Sequence, residues 1–329
     1  MSTFYTNRAN ISPALAVFAT HDTYDHNSDP NTISATSLIK PLRQIVLTRQ
    51  NKELSKEIDV ADLIASRMGT AIHESCERAW HDKDNVLNAF KMLGMSADYL
   101  SRVVVNPPDN EIKPSSILIY TEQRHTKKVG KYTISGKYDV VIEGMLNDYK
   151  STSVWSYIYG SNVDNYTKQG SIYRWLAPHQ IYGDYVKINY IFTDWSKAKS
   201  KQDTSYPQHR VHSRNYFLMS QEEAEEWVIN RVNQISLLEN LPQSALPECS
   251  EEELWASETV YKYYKNPTKL SRSTKNFSSM NDALARQASD NNVGTVITVP
   301  GGVKACTYCP AINICDQAAE LIKSNRLLV

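Results

Sequence analysis

The sequence predicts an α/β fold: a mixed, mainly antiparallel central sheet flanked by helices, with a metal-stapled C-terminal extension. Three stretches predict it. Tyr138–Lys150 reads as two short strands around a tight turn. Asp59–Trp80 carries apolar side chains at helical spacing. Cys306, Cys309 and Cys315 crowd together near the C-terminal end. The 329 residues, 41% hydrophobic and 22% charged, suit one large domain or two ordinary ones. Three segments are expected: a flexible N-terminal stretch over 1–33, a core over 34–245 and a cysteine-bearing extension over 246–329.

Lysine plus arginine equals aspartate plus glutamate, so formal net charge is zero. Steering of the whole molecule toward nucleic acid is not expected, and any such surface must come from local basic clusters. No apolar run is long enough to span a bilayer, and Met1-Ser-Thr-Phe does not open a secretory signal. A cytoplasmic protein without membrane contact is expected. Five cysteines in a reducing compartment point to metal ligation rather than disulfides.

Residues 1–33 are polar and lack periodicity. His21 and His26 lie close together, but Asn27, Ser28, Asp29 and Pro30 mark a loop, and no metal role is assigned to them. Ser34–Leu47 begins a helix, with Ser or Thr as its cap. Asp59 can cap the strongest helix. Its expected core-facing stripe is Val60, Ile64, Met68, Ala71, Ile72, Ser75 and Ala79, with Gly69, His73, Cys76 and Trp80 on an adjoining stripe. Two short helical patterns over 85–105 break at Gly94, and Asn106–Asp109 forms a turn. Ile117–Arg124 and Lys131–Ile134 are strand-like; Glu122 is a candidate extra acidic group, but the favoured reading is a solvent-facing strand residue outside the site.

The hairpin follows. With Glu143-Gly144 as a two-residue turn, Ile142 faces Met145, and counting outward sets Asp139 opposite Asp148. Cross-strand Cβ atoms in such a pair lie roughly 4.5–5.5 Å apart. Side chains alternate along a strand, so Asp148 and Lys150 share a face. Carboxylates this close are costly without a cation between them. The group suits Mg²⁺ or Mn²⁺, with the lysine orienting a metal-bound water.

Beyond the hairpin, Asp164–Leu176 reads as helix, on which Gln169 and Tyr173 project together. Tyr185–Phe192 and Tyr216–Met219 read as strands, and Thr193–Pro207 as a polar loop with Lys197, Lys199 and Lys201. Ser220-Gln-Glu-Glu223 is a capping box into a helix ending near Leu238. Lys262, Lys265, Lys269, Arg272 and Lys275 interleave with Tyr263, Tyr264 and Phe277, as on a phosphate-tracking surface with stacking rings. Met280–Ala288 reads as helix and Gly294–Val299 as strand. The C-x2-C-x5-C spacing of Cys306, Cys309 and Cys315 leaves a four-coordinate site one ligand short, with Cys76 and Cys249 as candidates. Cys76 shares a helix with His73 and is expected to pack in the core. Cys249 lies in an irregular segment able to bend back, and is favoured. Zinc is the generic ion for such thiolates.

From roughly Ser34 to Gln317 the order of these motifs resembles the PD-(D/E)xK (restriction-endonuclease-like) nuclease superfamily. The order is a helix with His73, then Asp139, Asp148-x-Lys150, Gln169-x-x-x-Tyr173 and the terminal cysteines. Within the superfamily it is similar to the RecB-type exonucleases with C-terminal iron–sulfur cysteines, phage-encoded ones included. The resemblance implies a metal-dependent deoxyribonuclease, acting as an exonuclease in recombination, repair or phage DNA processing. His73, Asp139 and Asp148 would hold the metal, with the Tyr149 carbonyl assisting. Asp139, Asp148 and Lys150 would be catalytic, and Gln169 and Tyr173 would position the strand. It also implies a 4Fe–4S cluster on Cys249, Cys306, Cys309 and Cys315, with zinc as the alternative. In one respect the chain departs from the family: relatives place the fourth cysteine ahead of the histidine helix, where this sequence offers only Lys40 and Pro41. The implied partner is DNA with a single-stranded end, in a bacterial or phage-infected cytoplasm. No P-loop is present, so a helicase would be a separate chain. The rival readings are a structure-specific endonuclease and an inactive DNA-binding scaffold of the same fold.

Overall fold

The computed structural model describes residues 3–22, 29–51, 56–108, 110 and 112–328. His26 and Asp109 lie outside the described residues. Two compact units form, one within 2–40 and 55–234, the other within 41–54 and 235–329.

The first unit opens with β1 (Thr3–Thr6) and α1 (Pro13–Thr20). The sequence shows neither, because their support comes from distant or very local partners. β1 pairs in parallel with a strand more than fifty residues away, and Pro13 starts a helix capped by Ser12. β2 (Thr32–Ser34) and α2 (Ala35–Leu38, capped by Ser34) follow. Next comes α3 (Leu42–Gln50), which belongs to the other unit. β3 (Lys56–Asp59), the partner of β1, leads into α4 (Val60–His81), whose first turn is capped by Asp59 through Ala61 N–H. Then come α5 (Lys83–Met92), α6 (Ala97–Arg102), β4 (Val103–Val105), β5 (Ile117–Thr121), β6 (Arg124–Val129) and β7 (Tyr132–Lys137). β8 (Val140–Ile142) and β9 (Met145–Thr152) make the hairpin. The unit closes with α7 (Val154–Tyr159), α8 (Val163–Leu176), β10 (Tyr185–Phe192), α9 (Lys197–Gln202), β11 (Val211–Phe217) and α10 (Gln221–Leu238).

The central sheet has the order β11-β10-β9-β8-β5-β4. It is mixed and mainly antiparallel: only β10 with β9 and β4 with β5 run parallel. A smaller sheet, β2-β7-β6, holds strands expected in the central one. The break lies at Glu122, whose φ of 53° turns the chain out of β5. α5 and α6 bury Leu87, Phe90 and Tyr99 on a core of Val103, Ile117, Ile119 and Val140. α9 replaces the expected loop, because Ser196 caps it.

The hairpin register is as the spacing requires: Val140 faces Asn147, Val141 faces Leu146 and Ile142 faces Met145. Glu143 and Gly144 have φ of 48° and 79°, the left-handed pair that a type I′ turn needs. A Cβ on Gly144 would meet the Tyr182 ring at 2.3 Å. Gly144→Ala should therefore destabilise the protein by about 2–4 kcal/mol, from strain plus overpacking. Urea unfolding with an unchanged m-value would measure it. A loss below about 0.5 kcal/mol would mean the turn is not a fixed point of the fold.

The sheet-facing side of α4 is not the expected apolar stripe. Met68 is 48% exposed, and Ser75 and Ala79 are also exposed. The adjoining stripe meets the sheet instead: a Cβ on Gly69 would lie 3.1 Å from Ser151 Oγ, and Trp80 Nε1 donates to Tyr149 OH at 3.1 Å. Part of α4's apolar surface is taken by α1, a partner that local periodicity could not reveal.

In the second unit, β12 (Val260–Tyr264), β13 (Lys275–Phe277), α11 (Met280–Ser289), β14 (Thr295–Val299) and α12 (Asp316–Lys323) accompany α3. The three strands form an antiparallel sheet in the order β13-β12-β14. Val46 and Leu47 of α3 pack with Leu246 and Ala311, which draws residues 41–54 away from the core segment in which the sequence put them. Tyr263 and Tyr264 are buried, so they are core residues and not stacking rings. Lys265, Lys269, Arg272 and Lys275 remain exposed.

Candidate active site and cysteine centre

Hairpin register and α4 together assemble the site. Asp139 stands one residue before β8 and Asp148 lies within β9, and both are buried. The Tyr149 backbone N–H donates to Asp139 Oδ2 at 2.7 Å, and His73 Nε2 on α4 lies 2.9 Å from the same oxygen. Lys150 Nζ pairs with the buried Asp148 Oδ2 at 2.7 Å, and among the described residues that oxygen has no other partner. Lys150 Nζ also donates to Gln169 Oε1 at 3.3 Å, and Gln169 Nε2 donates to Tyr173 OH at 2.8 Å. Gln169 and Tyr173 reach the strand because α8 lies close: a Cβ on Gly136 of β7 would meet the Tyr173 ring at 2.8 Å. All these residues line one cavity of about 630 Å³.

The sequence reading left out Glu122. It is half-buried, and its carboxylate, His73 and Asp139 offer three ligand atoms within 4.8 Å of one another. Its backbone N–H donates to the Asp139 carbonyl at 3.0 Å, and Lys137 Nζ pairs with Glu122 Oε2 at 2.5 Å. The missed signal was a third strand. Thr121 pairs with Val140, so the next residue along β5 falls beside Asp139.

Charge at the site is poorly solvated. Burial pushes the Asp148 carboxyl up, with the Lys150 ammonium pulling the other way. Burial works against the charge on Lys150, but Asp148 and then Asp139 more than offset it and hold the amine above its usual range. Burial also raises Glu122. The hydrogen bond to Asp139 raises His73 above the usual imidazole range. Burial, and beyond it the Asp139 charge, push the Cys76 thiol up.

His73, Glu122 and Asp139, with ligand atoms within 4.8 Å of one another and the Asp148 carboxylate paired to Lys150 beside them, suit a hard divalent cation such as Mg²⁺ or Mn²⁺. A cation bound at His73 must displace its proton. Mn²⁺ affinity should therefore fall as pH drops through the raised His73 value, approaching tenfold per pH unit. Glu122→Ala should weaken Mn²⁺ binding by about tenfold or more. Calorimetric titration at pH 6 and pH 8 checks both, and equal affinities at the two pH values would remove His73 from the ligand set.

In the second unit Cys249, Cys306, Cys309 and Cys315 line one small cavity together with Pro41 and Arg43. Cys249 is clamped by Gln317, whose amide bonds both the Cys249 N–H and its carbonyl at 2.9 Å. Arg43 Nε donates to Cys315 Sγ at 3.3 Å. Burial, then Glu253 and the other three cysteines, push the Cys249 thiol up to about 12.

No family model matches the chain, and no curated protein matches it. Among solved structures, SSO0001 is 16% identical with a TM-score of 0.39, over 70% of this chain and 87% of that one. A distant neighbour is a phage-related exonuclease from Haemophilus somnus 129PT, 15% identical with a TM-score of 0.28, over 62% of this chain and 91% of the other. Among the described residues, no helix is long and apolar enough to cross a membrane.

Proposed function

We propose that this chain is a metal-dependent DNA nuclease of the PD-(D/E)xK type, in its RecB-type branch, cutting as an exonuclease. The observation that carries the reading is the convergence of Asp139, Asp148, Lys150 and His73 in one cavity, with Gln169 and Tyr173 beside the lysine. The reading rests on these residues and not on the distant neighbours.

His73, Asp139 and Asp148 would hold the divalent ion, joined by Glu122, with the Tyr149 carbonyl as a further ligand. When bound, the ion polarises the scissile phosphate and lowers the pKa of the attacking water. Lys150, kept protonated by the two aspartates, orients that water and offsets charge developing on the phosphate. Gln169 ties the lysine to Tyr173 and so fixes its amine relative to the bound strand. Lys137 pairs with Glu122, and if Glu122 held the ion instead, the Lys137 ammonium would be available to a phosphate.

The four cysteines would bind a 4Fe–4S cluster as a structural staple for the second unit. Cys249 as fourth ligand is supported by its place on the shared cavity and by the Gln317 clamp. Pro41 and Arg43 line the same cavity, and Arg43 Nε donates to Cys315 Sγ.

The test is digestion of end-labelled linear and of circular DNA, single- and double-stranded, with Mg²⁺ or Mn²⁺. Mononucleotide release from linear DNA with circles left intact is the expected result. Cleaved circles would favour an endonuclease, and no cleavage of any substrate would sink the reading.

A further inference from the structure

Four residues past Lys150, the chain enters α7, whose two faces differ sharply. Tyr157 faces inward, with ring centroids 5.1 Å from Tyr190, 5.4 Å from Phe192 and 4.9 Å from His212. In the parallel register Tyr190 lies beside Lys150, Phe192 beside Thr152 and Ile188 beside Asp148. Neighbours in register share a face of the sheet. Tyr157 thus anchors α7 on the face that bears Asp148 and Lys150. Trp155 follows Lys150 by five residues, so the chain between them spans at most about 17 Å.

The outer face of α7 carries large aromatic surface. Trp155 is 45% exposed and Tyr159 is 76% exposed. As i and i+4 they share a helix face, and their rings stack at 6.0 Å with 22° between planes. Lys199 Nζ on α9 sits 5.5 Å from the Trp155 ring centre. Lys197 and Lys201 are exposed on the same helix, which has no acidic residue. The nearby Asp194 carboxylate is committed to the α7 N-terminus, accepting from Val154 N–H at 2.7 Å. An exposed flat π surface beside uncompensated cations is complementary to a ligand that is both planar and anionic. A single strand of nucleic acid supplies both, in its unpaired bases and its phosphates. Inside a duplex each base pair is stacked on both sides, so only the end pairs offer a face.

We propose that Trp155, Tyr159 and Lys199 form a stacking platform that holds unpaired bases of a single-stranded nucleic acid running to the Asp148–Lys150 cavity. This rests on the nuclease reading and gives the unpaired strand a contact surface outside the cavity, on α7 and α9.

Binding is measured on the full chain in EDTA, which prevents cleavage. The probes are fluorescein-labelled oligothymidylate and a blunt duplex of equal length, read by anisotropy. The Trp155→Ala/Tyr159→Ala double variant should bind oligothymidylate about tenfold to a hundredfold more weakly, with duplex binding unchanged. Trp155→Phe should stay close to wild type, because it keeps a ring. Lys199→Ala should lower the salt dependence by about one phosphate contact. Independently of any variant, wild-type protein irradiated with 5-iodouracil-substituted oligonucleotide should crosslink within residues 154–159. Undiminished binding by the double variant, or crosslinks only elsewhere, overturns the platform while cleavage by the wild type keeps the nuclease reading. Failure of the wild type both to bind and to cut any nucleic acid overturns the two together.

Discussion

Asp148→Ala should abolish cation-dependent cleavage, with a loss in kcat on the order of 10³-fold or more. Asp148 is 3% exposed, and among the described residues it is the carboxylate paired with Lys150, at 2.7 Å. Its removal takes away a proposed cation ligand and the carboxylate that does most to hold the lysine charged. Stability is the confounding factor, since a buried ammonium without its partner is costly. Asp148→Asn keeps the shape and is the better probe of chemistry. It should fold, retain DNA binding in EDTA and fail to cut. Asp139→Asn should behave alike, because Asp139 Oδ2 is tied to both Tyr149 N–H and His73. Single-turnover assays across a Mn²⁺ series would separate lost cation affinity from lost chemistry. Near-normal cleavage by Asp148→Asn would remove the hairpin from the mechanism.

Cys249→Ser should strip iron from the protein and expose the second unit to protease. Anaerobically purified wild type should be brown, with about four irons per chain. Leu254, Val303, Ala318, Leu321 and Leu327 form only a small core, with Cys249, Cys306 and Cys315 packed against it. Cys309 and Cys315 pack on a second small cluster, Val46, Leu47, Leu246 and Ala311, so a metal on the four cysteines would tie the two clusters together. Cys76→Ser should change neither iron content nor proteolysis, because Cys76 is on α4 in the first unit, within the field of Asp139. Stoichiometric zinc without iron would replace the cluster but keep the staple. Full metal content in Cys249→Ser would assign the fourth position to another residue.

What could be read in the sequence was local. The hairpin register followed from one turn, and the Gln169–Tyr173 pair from one helical repeat. Asp59 as a cap and the Ser220–Glu223 capping box are equally short-range. What could not be read depended on distant partners. Glu122 becomes a site residue only once β5 is paired with β8. The face of α4 that meets the sheet was misread because α1 takes up apolar surface on the same helix. Tyr263 and Tyr264 look like exposed rings until a sheet closes over them. Residues 41–50 sit early in the chain but find their apolar partners near its end.

That last pairing has a consequence for synthesis on the ribosome. Arg43 bonds Cys315 across 272 residues, and Val46 and Leu47 are covered by Leu246 and Ala311. At about 5–20 residues per second, the nascent helix stays uncovered for roughly 14–54 s before its last partner is made. Through that interval it presents an apolar face that a chaperone or a second nascent chain can capture. Yield of folded protein should therefore respond to translation speed and chaperone supply more than the stability of the finished molecule would suggest.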